Sequence, residues 1–144
     1  MDAQTFKEWQ DPEINAVNRA PMHTNFFAYE STEAATEAVK EKSANFMTLN
    51  GIWKFRWVKD SDARPTDFWK IGYNDKGWDD LPIPAMWELN GYDVPLYSGV
   101  GFDWKLWKGW CKNNPPVVPV ENNHVGSYRR EIIVPSDWKG KDII

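Results

Sequence analysis

The residues able to do chemistry in this chain are few and scattered. His23 and His124 are its two imidazoles, Cys111 its one thiol, and carboxylates are spread along its whole length. The two histidines stand far apart in sequence, so no short spacing marks them as a metal or acid/base pair. Each reads as a surface or hydrogen-bonded loop residue. One cysteine excludes an internal disulfide framework and any multi-thiolate zinc site. No Gly-x-Ser-x-Gly elbow, phosphate-cradling glycine loop or His-Glu-x-x-His signature occurs. No Asp or Glu stands in a pattern that marks a glycosidase acid or nucleophile by itself.

Tryptophan is the unusual residue, with 10 Trp beside 5 Tyr and 7 Phe in 144 residues. Two readings compete. Aromatics fill a tightly packed β core, or their flat faces stack on the C–H face of a pyranose while a polar neighbour holds the hydroxyls. Trp104, Trp107 and Trp110 recur at every third residue within Asp103–Lys112. A short helical turn would gather them on one broad face. That face either packs on a neighbouring domain or forms a platform for the second sugar of a disaccharide.

The balance of 42% hydrophobic and 26% charged residues is that of a globular domain. A formal net charge of -4 gives no bulk attraction for phosphate backbones, so no nucleic-acid partner is expected. No apolar run reaches the roughly 20 residues needed to span a membrane, and no membrane partner is expected. The opening residues carry no apolar signal-peptide core. The compartment, cytoplasm or periplasm, stays open.

The elements that must position these residues follow from pattern. Residues 1–30 read as an extended arm with a turn at Pro12, and Pro21 with the apolar Phe26-Phe27 suggests that the arm packs on a neighbour. Ser31 followed by Thr32-Glu33 is a helix start, and Ala34, Ala35, Ala38 and Val39 support a short helix. After the Asn50-Gly51 turn signal, Ile52–Val58 alternates, with Trp53, Phe55 and Trp57 on one face and Lys54 and Arg56 on the other. Lys59–Asp80 is a polar connection anchored by Phe68, Trp69 and Trp78. Leu81–Pro84 reads as an edge or extended segment, because its two prolines lack N–H donors. Residues 85–126 are mostly irregular. A strand is expected over Ser127–Val134, a turn over Pro135–Gly140, and the start of another strand at Lys141–Ile144. This is an all-β pattern with too few strands to close a sandwich over one core.

Several short motifs occur in a fixed order. Trp9-Gln10-Asp11-Pro12 and Asn18-Arg19-Ala20-Pro21-Met22-His23 come first. Leu49–Phe55 (LNGIWKF), Pro84–Tyr92 (PAMWELNGY) and Pro95-Leu96-Tyr97 follow. Asn114–Pro119 (NPPVVP), Glu121-Asn122-Asn123 and Val125–Arg130 (VGSYRR) close the series. In that order they resemble the N-terminal segment of glycoside hydrolase family 2 β-galactosidases, the large bacterial lactose-cleaving type. The resemblance covers nearly the whole chain from Trp9.

The resemblance implies an extended N-terminal arm, residues 1–30, and the first part of a jelly-roll, galactose-binding-like β-sandwich, residues 31–144, incomplete at its C-terminal end. It implies a parent enzyme that hydrolyses terminal β-D-galactosides with retention, through two glutamates on a catalytic barrel beyond this segment. The 144-residue segment alone is then expected to be inactive. Its partners would be the β-galactoside substrate, the remaining domains of the same enzyme, and further copies in a homo-oligomer held through the arm. The family's galactose-contacting Asn-Val pair falls here on Gly99 and Val100, so Val100 matches and Gly99 lacks the amide donor. Trp104, Trp107 and Trp110 lie in an apparent insertion just after it and would add to the same sugar-binding mouth. A peripheral Mg²⁺ beside the arm would take Glu8, Asp11 and the carbonyl of Ile14, and Na⁺ would sit in the parent's active site. The other readings are a free-standing carbohydrate-binding module, a purely structural assembly domain, and the N-terminal domain of a related β-glucuronidase or β-mannosidase. The Asn18–His23 motif favours the galactosidase branch.

Overall fold

The computed structural model describes residues 8–95 and 118–144. Three strands form one open antiparallel sheet: β1 (Gly51–Val58), β2 (Asp79–Ile83) and β3 (Val125–Arg129), in the order β2-β1-β3. Helix is almost absent among the described residues, and the fold class is all-β as the pattern predicts. The one α-helix among the described residues, α1 (Thr32–Glu37), starts where expected, with the Ser31 hydroxyl accepting from the Ala34 N–H at 3.1 Å. It stops at Glu37 because Ala38 turns left-handed at φ 55° and returns its N–H to the Ala34 carbonyl.

β1 is central, with Phe55 opposite Tyr128 on one side and Asp79 on the other. Directly opposed residues share a face. One face therefore carries Trp53, Phe55, Trp57, Leu81, Gly126 and Tyr128, as the alternation requires. Phe55 and Leu81 are its fully buried members. β2 is an edge strand, as Pro82 within it and Pro84 just after it demand, and Pro82 lies opposite Ile52.

The opposite face is less solvent-exposed than Lys54 and Arg56 suggest. The Lys59–Asn74 connection returns toward it. Tyr73 accepts from Arg129 Nη1 through its carbonyl at 3.4 Å, and Asp75 Oδ2 accepts from the same nitrogen at 2.5 Å. Phe68 packs on Trp78, with ring centroids 5.9 Å apart. Of the three expected anchors, Trp69 is the exception, being 58% exposed. Val58 and Ser127 are buried on this face.

Two strand expectations are corrected. β3 ends at Arg129 rather than Val134, and Lys141–Ile144 forms no strand. Beyond Arg129 the tie to the start of β1 passes to a side chain. Arg130 Nη1 donates to the carbonyls of Leu49 and Asn50 at 2.7 and 2.8 Å, and Ile133 is left exposed. Alternation in Ser127–Val134 marks a face but cannot show that a neighbouring strand is there to use it. That guanidinium also explains Gly51, where φ is 133° and an added Cβ would lie 3.2 Å from Arg130 Nη1. The predicted 135–140 turn is present. Its Trp138 indole donates to the Ala44 carbonyl at 3.0 Å, tying the end of the described chain to the segment before β1.

The hydrogen bond from Arg129, opposed by partial desolvation, holds the Asp75 carboxyl below the ordinary carboxylate range. A group with a lowered folded pKa stabilises the fold above its unfolded pKa, about 3.9 for Asp. That contribution disappears as pH falls from there through the lower folded value. Asp75→Asn is expected to lower the melting temperature at pH 7 and to converge on wild type once the pH has fallen through the lowered folded value. Equal losses at both pH values would show that the pair's charge is not what matters.

Candidate functional site

The segment expected to meet sugar, with Gly99, Val100, Trp104, Trp107 and Trp110, lies outside the described residues. Its two ends are described, and they converge on the aromatic face of the sheet. The first end leaves the turn Trp87–Asn90, which Gly91 closes at φ 87° and the Tyr92 N–H secures on the Trp87 carbonyl at 3.1 Å. Asp93 follows, left-handed at φ 68°, and its Oδ1 accepts from the Val94 N–H at 2.8 Å. The second end is tied to the chain just after β1. Ser61 donates its N–H to the Val120 carbonyl at 3.1 Å, and Asn122 donates its N–H to Asp60 Oδ1 at 2.7 Å.

Between the ends lies a nest of rings. The Phe55 ring meets Tyr92 and Tyr128, each at 4.8 Å between centroids, and Trp87 at 6.2 Å. Trp87 lies across Gly126, where an added Cβ would come within 2.6 Å of the indole. Burial raises the pKa of the Tyr92 phenol, and the Asp79 carboxylate adds to this; burial and Glu88 do the same for Tyr128. Both phenols are therefore neutral near pH 7. His124 sits on Trp57, with centroids 5.2 Å apart, and its Nδ1 is paired with Asp93 Oδ2.

His124 is thus a hydrogen-bonded loop residue, as the sequence suggests, and His23 is another, with Nδ1 2.9 Å from the Thr24 carbonyl oxygen. The partner that sequence reasoning missed is Asp93. Its only signal was position, directly after the Gly91-Tyr92 pair that ends one of the motifs.

At the arm, Glu8 opens a short 3-10 turn, Glu8–Gln10. The Glu8 carbonyl accepts from the Asp11 N–H and the Asp11 carbonyl from the Ile14 N–H, both at 3.1 Å. Asp11 Oδ1 accepts from the Glu13 N–H at 3.0 Å. Successive turns thus bring residues 8, 11 and 14 close along the chain. Two carboxylates and a carbonyl are hard oxygen donors of the kind Mg²⁺ takes, though short of the roughly six that complete its shell. Among the described residues no cluster of three His, Cys, Asp or Glu side chains could hold a metal. A cavity of about 480 Å³ lies elsewhere, against β3, lined by Arg64, Pro65, Phe68, Trp69, Gly126 and Tyr128 among others.

Residues 46–144 match the family described as glycosyl hydrolases family 2, sugar binding domain. The chain belongs to glycoside hydrolase family 2. It is similar to the β-galactosidase of Priestia megaterium, 31% identical over 98% of this chain and 13% of that protein. It is likewise similar to those of Halalkalibacterium halodurans, 35% identical over 89% of the chain and 12% of the relative, and Psychromonas ingrahamii, 30% over 92% and 12%. The chain spans about an eighth of the length of these curated relatives. The family 2 domain seen here is an all-β unit with a small core. Phe55, Val58 and Leu81 are its buried hydrophobic residues among those described, while apolar side chains such as Ile71, Met22 and Ile133 stay exposed.

Proposed function

We propose that this chain is the N-terminal sugar-binding and assembly portion of a β-galactosidase that hydrolyses terminal β-D-galactosides with retention of configuration. The observation that carries the reading is the similarity to proteins named β-galactosidase across nearly the whole chain. In this reading residues 1–30 are the arm and residues 31–144 the first part of a jelly-roll domain. The two reacting glutamates belong to another domain of the parent. This chain's part is to shape the mouth of the galactoside pocket.

The segment between Asp93 and His124 does that shaping. Val100 keeps the apolar residue of the family's sugar-contacting pair, and Gly99 lacks the amide that an Asn would donate. Trp104, Trp107 and Trp110 offer a stacking face to the second sugar. Glu8, Asp11 and the Ile14 carbonyl would hold a peripheral Mg²⁺, whose contribution there is to neutralise the acids and stiffen the arm. Na⁺ belongs to the parent's active site. The arm, with exposed Val17, Met22 and Phe26, docks on other copies in a homo-oligomer.

An aromatic platform contributes about 1 kcal/mol beyond its buried area. Changing the stacking Trp to Ala in the full-length enzyme is therefore expected to lower kcat/KM for lactose by roughly tenfold, and less for a nitrophenyl galactoside. The purified 144-residue chain should show no turnover of either. If all three single variants keep wild-type kcat/KM on lactose with unchanged melting temperature, the platform is wrong. Galactoside turnover that tracks the isolated chain through purification would overturn the assignment of the reacting glutamates to another domain.

A further inference from the structure

We propose that Asn50 is a self-modification site, where the side chain cyclises onto the Gly51 nitrogen and opens to aspartate and isoaspartate, and that the fold protects Asn90 from the same reaction.

The tripeptide Leu-Asn-Gly occurs twice, at residues 49–51 and 89–91. Asparagine is a chemically labile side chain. A following glycine leaves the attacking nitrogen uncovered, because it has no Cβ. The two copies share this local chemistry, and both asparagines are exposed. Their surroundings therefore decide which of them reacts.

At Asn90 both reacting groups are occupied. The carboxamide Nδ2 donates to the Met86 carbonyl at 2.9 Å, and the Gly91 N–H donates to the Trp87 carbonyl. Reaction there must wait for the Trp87–Asn90 turn to open. At Asn50 the carboxamide has no hydrogen-bond partner among the described residues. Only the main chain of this residue is tied. Its N–H donates to Thr48 Oγ1 at 3.1 Å, and its carbonyl accepts from Arg130 Nη1 at 2.8 Å. Gly51 is the terminal rung of the β1–β2 ladder, opposite Ile83, where pairing frays first. The guanidinium assists as well. It places a cation on the peptide unit whose nitrogen must lose a proton, and a nearby cation favours the anion.

The reaction balances with water and a solvent base alone. The base takes the Gly51 N–H proton. The nitrogen attacks Asn50 Cγ, an N–Cγ bond forms, and the Cγ–Nδ2 bond breaks with release of ammonia. The product is a cyclic imide. Water then adds to one of its two carbonyls. Opening at the new N–Cγ bond gives aspartate. Opening at the original peptide C–N bond gives isoaspartate, with the main chain rerouted through Cβ and Cγ. Either product adds a negative charge. Isoaspartate also lengthens the main chain by a methylene at the entry to β1, where the Leu49 carbonyl accepts from the Trp53 indole at 2.8 Å and from Arg130 at 2.7 Å.

The test incubates the full-length enzyme in mildly alkaline buffer and follows both Leu-Asn-Gly peptides by mass after digestion. An enzymatic methylation assay on the same peptides detects isoaspartate. In the folded enzyme Asn50 is expected to convert at least about tenfold faster than Asn90. In urea the two rates should agree within about threefold, because only the fold separates them. Both aspartate and isoaspartate should appear at position 50.

Three results would each overturn the proposal. One is an Asn50 that stays intact in the folded enzyme. Another is native-state conversion of Asn90 as fast as that of Asn50. The third is aspartate at position 50 without isoaspartate, which would mean direct hydrolysis of the side chain rather than cyclisation.

Discussion

Phe55→Ala is expected to be the most damaging single truncation in the described domain. Phe55 is fully buried on the central strand and touches Trp87, Tyr92 and Tyr128. Removing a buried phenyl ring loses its transfer free energy and leaves a cavity that rigid neighbours close poorly. The combined cost is about 3–5 kcal/mol. Here the neighbours are three further aromatic rings, Tyr128 held on β3 and Trp87 and Tyr92 held by one turn, so collapse into the void is limited. A small hydrophobic core has little stability to spare. The melting temperature of the purified protein should fall by roughly 10 °C or more, with a matching loss of soluble yield. Phe55→Leu, which keeps most of the volume, should cost less than about 1.5 kcal/mol. A Phe55→Ala protein that melts within about 3 °C of wild type would mean that the nest does not carry the fold.

The second large effect is the reverse error at the same place, overfilling. Gly126 lies on β3 opposite Trp57, and a Cβ added to it would come within 2.6 Å of Trp87 and 2.8 Å of Phe55. Its φ is not in the left-handed range, so the position asks for space and not for a special backbone. Gly126→Ala must displace an indole and a phenyl ring together and should cost about 1–3 kcal/mol, and Gly126→Val more. The contact itself supplies the control. If the clash with Trp87 is the cause, Gly126→Ala combined with Trp87→Leu should destabilise by clearly less than the two single changes added together. Strict additivity would place the cost elsewhere.

These two residues mark the boundary between what was legible and what was not. The aromatic face of β1 is written in the order Trp53-Lys54-Phe55-Arg56-Trp57, because a strand alternates whatever surrounds it. The Ser31 cap and the edge position of Leu81–Pro84 are equally local, fixed by a hydroxyl and by missing N–H donors. Gly126, by contrast, read only as a residue preceding a strand. That it must be glycine depends on where the Trp87 turn lands, which is a long-range fact. The expected continuation of β3 to Val134 failed for a related reason. Side-chain alternation can be present without a partner strand, and pairing is a property of two segments rather than one.

The functional site divides in the same way. The order of short motifs, from Trp9 to Arg130, was enough to place the chain in family 2 before any coordinates, and the match over residues 46–144 agrees. That order points to Gly99 and Val100 as the residues that face sugar, and the every-third spacing within an insertion adds Trp104, Trp107 and Trp110. What only the tertiary structure decided is how the ends of their segment are held. Asp93 and His124 are distant in sequence and unremarkable singly, and neither lies in a spacing that signals chemistry. They meet because the Trp87 turn and the start of β3 fold onto one face of β1, each packed against Phe55 or Trp57. Local preference sets the periodicity of a strand within a few residues. Which distant side chains become neighbours is set by packing over the whole sheet, and no single stretch of sequence carries that information.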